Sequence, residues 1–243
     1  KKKRLEERVP DSFLVNCAAF VDALVGKVLT IVKYRSRPCK GERILIMRYD
    51  RVSDVVTTLP ALERIRRKFP HAKIDIVVRD NTKDLLLENP NIDGIIIFDN
   101  DWLSYKKNSN LLDWIVYFIF SINREFKLLL NTLKQEKYDL MIDFTKKRRN
   151  LLLALLLRIP HRWGFKVPLG SCLLTKQVQY DTTKHVLLNN LRLINEHEKR
   201  ISQITQINFH INKSTIKSAN ELLKATKLAT AKHPVIGIHL GFG

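Results

Sequence analysis

The chain has 243 residues, of which 45% are hydrophobic, and this supply of apolar side chains excludes a wholly disordered protein. Its 43 lysines and arginines outnumber 24 acidic residues and give a formal net charge of +19. This excess indicates an anionic partner: nucleic acid, a membrane surface, or an acidic or phosphorylated substrate. The three cysteines lie far apart and form no zinc-binding pattern, which fits a reducing, cytoplasmic environment.

Residues 1–40 form a basic N-terminal extension. Residues 13–32 are largely apolar, but Asp22 and Lys27 interrupt them, and a membrane-spanning helix needs ~20 residues with few or no charges. Basic clusters flank this stretch on both sides. Two interpretations stay open: an amphipathic helix on an anionic membrane surface, or a helix packed on the core of the protein itself.

Beyond a breaker cluster at residues 37–41, short apolar runs alternate with stretches of helical periodicity. The apolar runs predict buried strands at 43–47, 73–78, 94–98, 138–144, 161–165, 207–211 and 235–239. The periodic stretches predict helices at 54–69, 81–88, 111–136, 148–158, 184–198 and 213–228. Within the first of these helices, Pro60 is expected to end or kink a turn.

Strands that alternate with helices predict an α/β fold, with a parallel sheet and helices on both of its faces. Right-handed crossovers then place ligands at the carboxyl ends of the strands. The loops that follow the predicted strands are therefore where functional side chains are expected.

Charged side chains cluster where the first predicted strand is followed by its helix. Arg48, Asp50, Arg51 and Asp54 all lie in this loop or at the start of the helix. A helix N-terminus favours a carboxylate, so an ionised Asp54 in a cleft could accept a proton from an attacking hydroxyl. A second interpretation is that Asp54 or Ser53 only caps the helix, and composition alone favours this one.

The segment 44–70 resembles the opening motif of glycosyltransferase family 9, in which a strand and a short loop precede Gly-Asp and a Thr-x-Pro-Ala-Leu helix. Further segments resemble the family's motifs in the same order: 89–93 (NPNID), 138–144 (YDLMIDF), 149 with 162–165 (RWGF), 185 with 190–191, and 235–243 (VIGIHLGFG). Each match is weak alone, but their order and spacing are specific. The family includes the ADP-heptose:lipopolysaccharide heptosyltransferases.

The resemblance implies a two-domain GT-B fold, with a Rossmann-like acceptor-binding domain at 41–230 and the start of a nucleotide-sugar-binding domain at 231–243. We therefore expect the sequence to be part of a longer protein and inactive without the donor domain. The implied reaction is metal-independent, needs no cofactor and inverts the anomeric carbon. Asp54 matches the family's proposed base.

The resemblance also implies partners. The donor would be ADP-heptose or another nucleotide-sugar, and the acceptor an anionic lipid-linked glycan, the lipopolysaccharide inner core. Arginines suit such an acceptor because they form charge-assisted hydrogen bonds. The predicted acceptor-binding residues are Arg48, Arg51, Ser53, Thr58, Lys146 and Arg149. The predicted donor-binding residues, whose loop would present backbone N–H groups to a diphosphate, are His239, Gly241, Phe242 and Gly243.

Two positions depart from the family pattern. Ser53 replaces a glycine, which would permit positive φ and a close approach of the backbone to a ligand. Leu240 and Phe242 stand where proline and alanine are usual. Ser53, together with the expected absence of the donor domain from this sequence, leaves open a non-catalytic acceptor- or membrane-binding module. We expect a cytoplasmic protein on the inner-membrane surface, and no nucleic-acid partner, because the sequence shows no nucleic-acid-binding motif.

Overall fold

The computed structural model describes residues 39–98, 124–168, 170–194, 207–211, 213–226 and 238. Residues 1–38 of the predicted N-terminal extension lie outside these residues, as do the first part of the predicted helix 111–136 and nearly all of the predicted strand 235–239. The domain boundaries at residues 40 and 230 therefore stay predictions.

Six parallel strands form one sheet, in the order β3-β2-β1-β4-β5-β6. The strands are β1 (Arg43–Met47), β2 (Lys73–Val78), β3 (Gly94–Ile97), β4 (Leu140–Asp143), β5 (His161–Phe165) and β6 (Lys176–Val178). The strand order reverses between β1 and β4, where Met47 pairs with Asp143. The predicted α/β class and parallel sheet are confirmed.

Helices pack on both faces of this sheet. They are α1 (Val52–Val56), α2 (Leu59–Lys68), α3 (Arg124–Glu136), α4 (Arg148–Leu156) and α5 (Val186–Ile194). A further helix, α6 (Lys213–Ala225), has no buried residue. Side chains alternate along a strand, so Ile44 and Ile46 of β1 pack with α1, α2 and α5, while Leu45 and Met47 pack with α3 and α4. Each fully buried aliphatic side chain of this kind contributes about 1.5–3 kcal/mol.

The predicted helix 54–69 is two helices, α1 and α2, separated at Thr57 and Thr58. Pro60 lies in the first turn of α2 and causes the break. It has no N–H to donate to the carbonyl of Val56, and its ring crowds that carbonyl, so one continuous helix cannot form. The break lies directly after Asp54 and shapes the site described below.

Three other predictions differ from the structure. The predicted helix 81–88 is a 3₁₀ helix at Asp80–Leu85. β6 was not predicted, because Lys176–Val178 is a short, polar edge strand without an apolar run. The predicted strand at 207–211 is wrong, since these residues form neither strand nor helix. Within the described ranges, no helix combines the length and apolar character needed to cross a bilayer.

Candidate active site at the strand-order reversal

The loops that follow β1 and β4 lie side by side, because their strands are neighbours at the reversal of strand order. In open parallel sheets, the crevice at such a reversal is the usual ligand site. The predicted base and most predicted acceptor-binding residues belong to these two loops and the helices that follow them. The tertiary structure thus brings together two charged segments that are far apart in the chain.

Asp54 is the third residue of α1, at the carboxyl end of β1. Its Oδ2 accepts the backbone N–H of Arg51 at 3.3 Å. Its Oδ1 lies 3.7 Å from Nη2 of Arg48, and its side chain is 31% exposed. Asp54 therefore caps its helix, as the second interpretation expected, and also keeps part of its carboxylate accessible to a reactant.

Arg48 and Thr58 are 3% and 0% exposed, so neither side chain is placed to contact an acceptor. The guanidinium of Arg48 donates to the carbonyls of Asp54 and Phe144, at 3.0 and 2.8 Å. The hydroxyl of Thr58 donates to the carbonyl of Asp54 at 2.7 Å. The prediction that these two residues bind the acceptor directly is corrected: both donate hydrogen bonds to the carbonyl of Asp54 and so hold the helix that carries it.

Arg51 and Ser53 are exposed beside Asp54. Ser53 lies inside α1 and does not adopt the positive φ that would call for a glycine. The departure from Gly to Ser is therefore compatible with this backbone. Both positions stay predicted acceptor-binding residues.

Asp50 connects the two loops. Its Oδ1 lies 2.9 Å from Nζ of Lys147, and its Oδ2 lies 3.5 Å from Nη1 of Arg48. The carboxylate is 18% exposed, and one cation from each loop engages it. Asp50 was not among the predicted site residues. The sequence signal that could have identified it is its position close to Asp54 in the chain.

The segment after β4 carries exposed positive charge in an unfavourable setting. Lys146 is exposed, adopts a left-handed φ of 59° and places its ammonium 3.6 Å from the ring centroid of Tyr180. Lys147 is the N-cap of α4, Arg148 and Arg149 follow it, and no acidic residue lies in the first turn. Cations oppose the helix dipole at this end. A bound anion would offset the energetic cost of both features, the left-handed backbone of Lys146 and the positive charge at the start of α4.

A buried polar network that the sequence did not reveal holds Arg149 in place. Nε of Arg149 donates to the hydroxyl of Tyr49 at 2.7 Å, and that hydroxyl donates to Oδ1 of Asn150 at 2.7 Å. Nδ2 of Asn150 donates in turn to Asp143 and Thr145, at 3.0 and 2.7 Å. The only sequence signals for this network were Asp143, a polar residue at the end of a buried strand, and Asn150, an asparagine within an apolar helix.

Asp143 is 3% exposed, and burial raises the pKa of its carboxyl. The backbone N–H and the hydroxyl of Thr145 both donate to its Oδ1, at 2.8 and 2.7 Å. These donors stabilise the charged form and oppose the effect of burial. Asp143 therefore organises the loop after β4 and is not exposed to a substrate.

A cavity of about 170 Å³ lies beside the start of α2, where Pro60, Glu63 and His210 are among the residues that line it. None of the predicted site residues lines it. The predicted donor-binding residues His239, Gly241, Phe242 and Gly243 lie outside the described residues. In the part of the chain that the structure describes, no group of three or more His, Cys, Asp or Glu side chains could hold a metal ion.

Two curated proteins resemble part of the chain. Lipopolysaccharide heptosyltransferase 3 of Escherichia coli strain K12 is 29% identical over 113 residues, which are 46% of this chain and 27% of that protein. A second Escherichia coli protein of the same name is 26% identical over 106 residues, 44% of this chain and 26% of that protein. The chain thus matches about a quarter of the length of these relatives. No family model matches it.

Solved structures share the fold. The glycosyl transferase family 9 structure from Veillonella parvula matches 79% of this chain and 51% of its own, with a TM-score of 0.59 and 20% identity. The Escherichia coli ADP-heptose lps heptosyltransferase II structure matches 74% of this chain and 50% of its own, with a TM-score of 0.52 and 17% identity. The chain spans about half the length of these two proteins.

The sheet order, the helices on both faces and the polar site at the strand-order reversal define an α/β domain of the Rossmann-like class. The structural matches agree with this class. In sequence, part of the chain is similar to lipopolysaccharide heptosyltransferase 3, and its fold is similar to that of the glycosyl transferase family 9 structure.

Proposed function

We propose that this chain is the acceptor-binding part of an inverting, metal-independent glycosyltransferase that moves heptose from ADP-heptose to an anionic lipid-linked glycan, the lipopolysaccharide inner core. The observation that carries the proposal is the position of Asp54. Its carboxylate is partly exposed at the carboxyl end of β1, where the strand order reverses. The names of the relatives support the choice of donor and acceptor.

In the proposed reaction, Asp54 acts as the general base. A hydroxyl of the acceptor attacks the anomeric carbon of the donor sugar, and Asp54 takes the proton of that hydroxyl. The new glycosidic C–O bond forms as the bond to the diphosphate breaks on the opposite face. The nucleotide diphosphate leaves with the bonding electron pair, so the anomeric configuration inverts.

The cations at the starts of two helices support an anionic acceptor. Lys146 and Arg149 lie at the basic start of α4, and Arg51 is the N-cap of α1. A phosphate or sugar acid in the crevice would offset the cations at the N-terminus of α4 and would accept charge-assisted hydrogen bonds. The net charge of +19 supports the further proposal that the protein works on the cytoplasmic surface of the inner membrane.

The test is the substitution Asp54→Asn in the full-length protein, assayed by ADP release from ADP-heptose with a lipopolysaccharide core acceptor. Asparagine keeps an oxygen that can accept the Arg51 N–H, so the cap survives while the base is lost. We expect kcat to fall by about two to four orders of magnitude, as losing a general base costs. The KM values should change little.

The matched control is Asp50→Asn, which neutralises a neighbouring carboxylate of the same loop. Its kcat should fall far less. Near-normal turnover of Asp54→Asn, or an equal loss in Asp50→Asn, would remove Asp54 from its role. Turnover with another nucleotide-sugar alone would change the proposed donor, and acceptor binding without any turnover would favour a non-catalytic module.

A further inference from the structure

The break between α1 and α2 changes the hydrogen bonding of one backbone carbonyl, that of Asp54. In a continuous α-helix, the N–H of Thr58 would donate to this carbonyl. Here the N–H of Thr58 donates instead to the carbonyl of Val55, at 2.9 Å. The carbonyl of Asp54 is therefore left to other donors.

Three side chains donate to this carbonyl. They are Nε of Arg48 at 3.0 Å, the hydroxyl of Thr57 at 3.0 Å and the hydroxyl of Thr58 at 2.7 Å. The Thr58 bond is the shortest of the three, and its side chain is fully buried. Side chains, rather than the helix ladder, thus satisfy the backbone carbonyl of Asp54.

Asn190 of α5 sets the direction of the Thr58 hydrogen bond. Its Nδ2 donates to the hydroxyl oxygen of Thr58 and to the carbonyl of Thr57, both at 3.2 Å. A hydroxyl has one proton, so Thr58 accepts from Asn190 and directs its own proton to Asp54. Asn190 is 1% exposed, and α5 packs against α2 on the same face of the sheet. A chain of two hydrogen bonds thus connects α5 to the backbone of Asp54.

We propose that Thr58 and Asn190 are positioning residues that aim the Asp54 carboxylate through its own backbone. This inference rests on the proposed function, in which Asp54 is the base. A carboxylate that must meet a hydroxyl at hydrogen-bonding distance is sensitive to small shifts, and a displacement of about 1 Å can cost on the order of 100-fold in rate. The rate therefore depends on the buried hydroxyl of Thr58, which touches no substrate.

The test compares Thr58→Val, which removes the hydroxyl at nearly constant shape, with Thr58→Ser, which keeps it. In the full-length protein, we expect Thr58→Val to lower kcat by about 10- to 100-fold, with KM for ADP-heptose nearly unchanged. Thr58→Ser should stay within a few fold of the unsubstituted protein. Normal kcat in Thr58→Val would overturn the inference.

A matched control is Thr132→Val, which removes a similar hydroxyl-to-carbonyl bond, from Thr132 to Leu128 at 3.0 Å. Thr132 is exposed on α3, close to the end of that helix, which leads to the amino end of β4. Its kcat should be unchanged. A loss equal to that of Thr58→Val would mean that any such bond affects the rate, and would overturn the inference.

The double variant Asp54→Asn, Thr58→Val separates positioning from general destabilisation. If Thr58 acts only through Asp54, the double variant should be no slower than Asp54→Asn alone. A further multiplicative loss would overturn the inference. Where Thr58→Val lowers the folded fraction, Thr57→Val removes a second donor to the same carbonyl from a less buried position, and it should lower kcat in the same direction.

The two proposals fail in different ways. If Asp54→Asn keeps its turnover, the base is wrong and the proposed function fails with it. If Asp54→Asn is inactive while Thr58→Val and Thr57→Val both turn over normally, the base stands and only the positioning role is wrong.

Discussion

Replacing Tyr49 with phenylalanine tests the buried network that supports Arg149. The ring of Tyr49 is 1% exposed and packs edge-on against Phe98, with ring centroids 5.5 Å apart, so phenylalanine can keep this packing. The hydroxyl has two partners, Arg149 and Asn150, each at 2.7 Å. Burial raises the pKa of this hydroxyl, so it stays protonated and keeps donating to Asn150.

The substitution therefore removes one hydroxyl and leaves Oδ1 of Asn150 without that donor. Asn150 is 2% exposed, so water cannot easily replace the lost partner. Leaving a buried polar group unsatisfied costs about 1–3 kcal/mol. For a domain of about 150–250 residues, each kcal/mol lowers Tm by roughly 2–4 °C.

The assay is urea unfolding followed by circular dichroism. The midpoint of Tyr49→Phe should fall while the m-value stays constant, which marks a change in stability alone. The matched control is Tyr180→Phe. The ring of Tyr180 packs against that of Phe165, with centroids 5.2 Å apart, and its hydroxyl forms no hydrogen bond within the described residues. A midpoint for Tyr49→Phe equal to that of Tyr180→Phe would refute the reasoning.

Two further predictions concern the loop after β4 and the start of α4. Because burial raises the pKa of Asp143, its contribution to stability is complete below the ordinary carboxyl pKa of about 3.9 and is lost as pH rises through the folded-state pKa. In Asp143→Asn this position does not titrate. The free energy of unfolding of the variant, minus that of the unsubstituted protein, should therefore be largest near neutral pH and should decline as pH falls towards about 4. A difference that is independent of pH, measured by urea unfolding, would contradict this. Arg149→Ala in the full-length protein should weaken binding of the anionic acceptor by about tenfold or more and leave ADP-heptose binding nearly unchanged, as expected for losing a charge-assisted hydrogen bond of about 1.5–3 kcal/mol. The control in the same binding titration is Arg158→Ala, an exposed position just beyond the opposite end of α4. Equal effects of Arg149→Ala on donor and acceptor binding would argue against the acceptor role of Arg149.

Local patterns predicted most of the sheet. β1, β2 and β5 have the predicted bounds, because each is a short run bordered by breakers or polar residues. β6 was missed because an edge strand needs no apolar run, and the strand predicted at 207–211 is wrong. The predicted helix 54–69 divides at Thr57 and Thr58, just before Pro60, the residue from which the sequence predicted a break or kink.

The site was predictable only in part. Asp54 lies at the start of the predicted helix 54–69, and Arg149 lies at the start of the predicted helix 148–158. The burial of Arg48 and Thr58 depends on side chains from distant segments, and local sequence does not report it. Tyr49 and Asn150 are 101 positions apart and meet only because β1 and β4 are neighbours.

The sequence by itself determined the class of fold and the positions of the charged loops, because strand periodicity and helix starts are encoded within a few neighbouring residues. Only the tertiary structure decided which polar and charged groups are exposed and which are buried and hold the backbone through hydrogen bonds. It turned Arg48 and Thr58 from predicted ligand contacts into residues that hold the Asp54 backbone. The physical reason is that burial and hydrogen-bond partners depend on the order in which strands pair and helices pack, and these contacts join residues 96 to 132 positions apart.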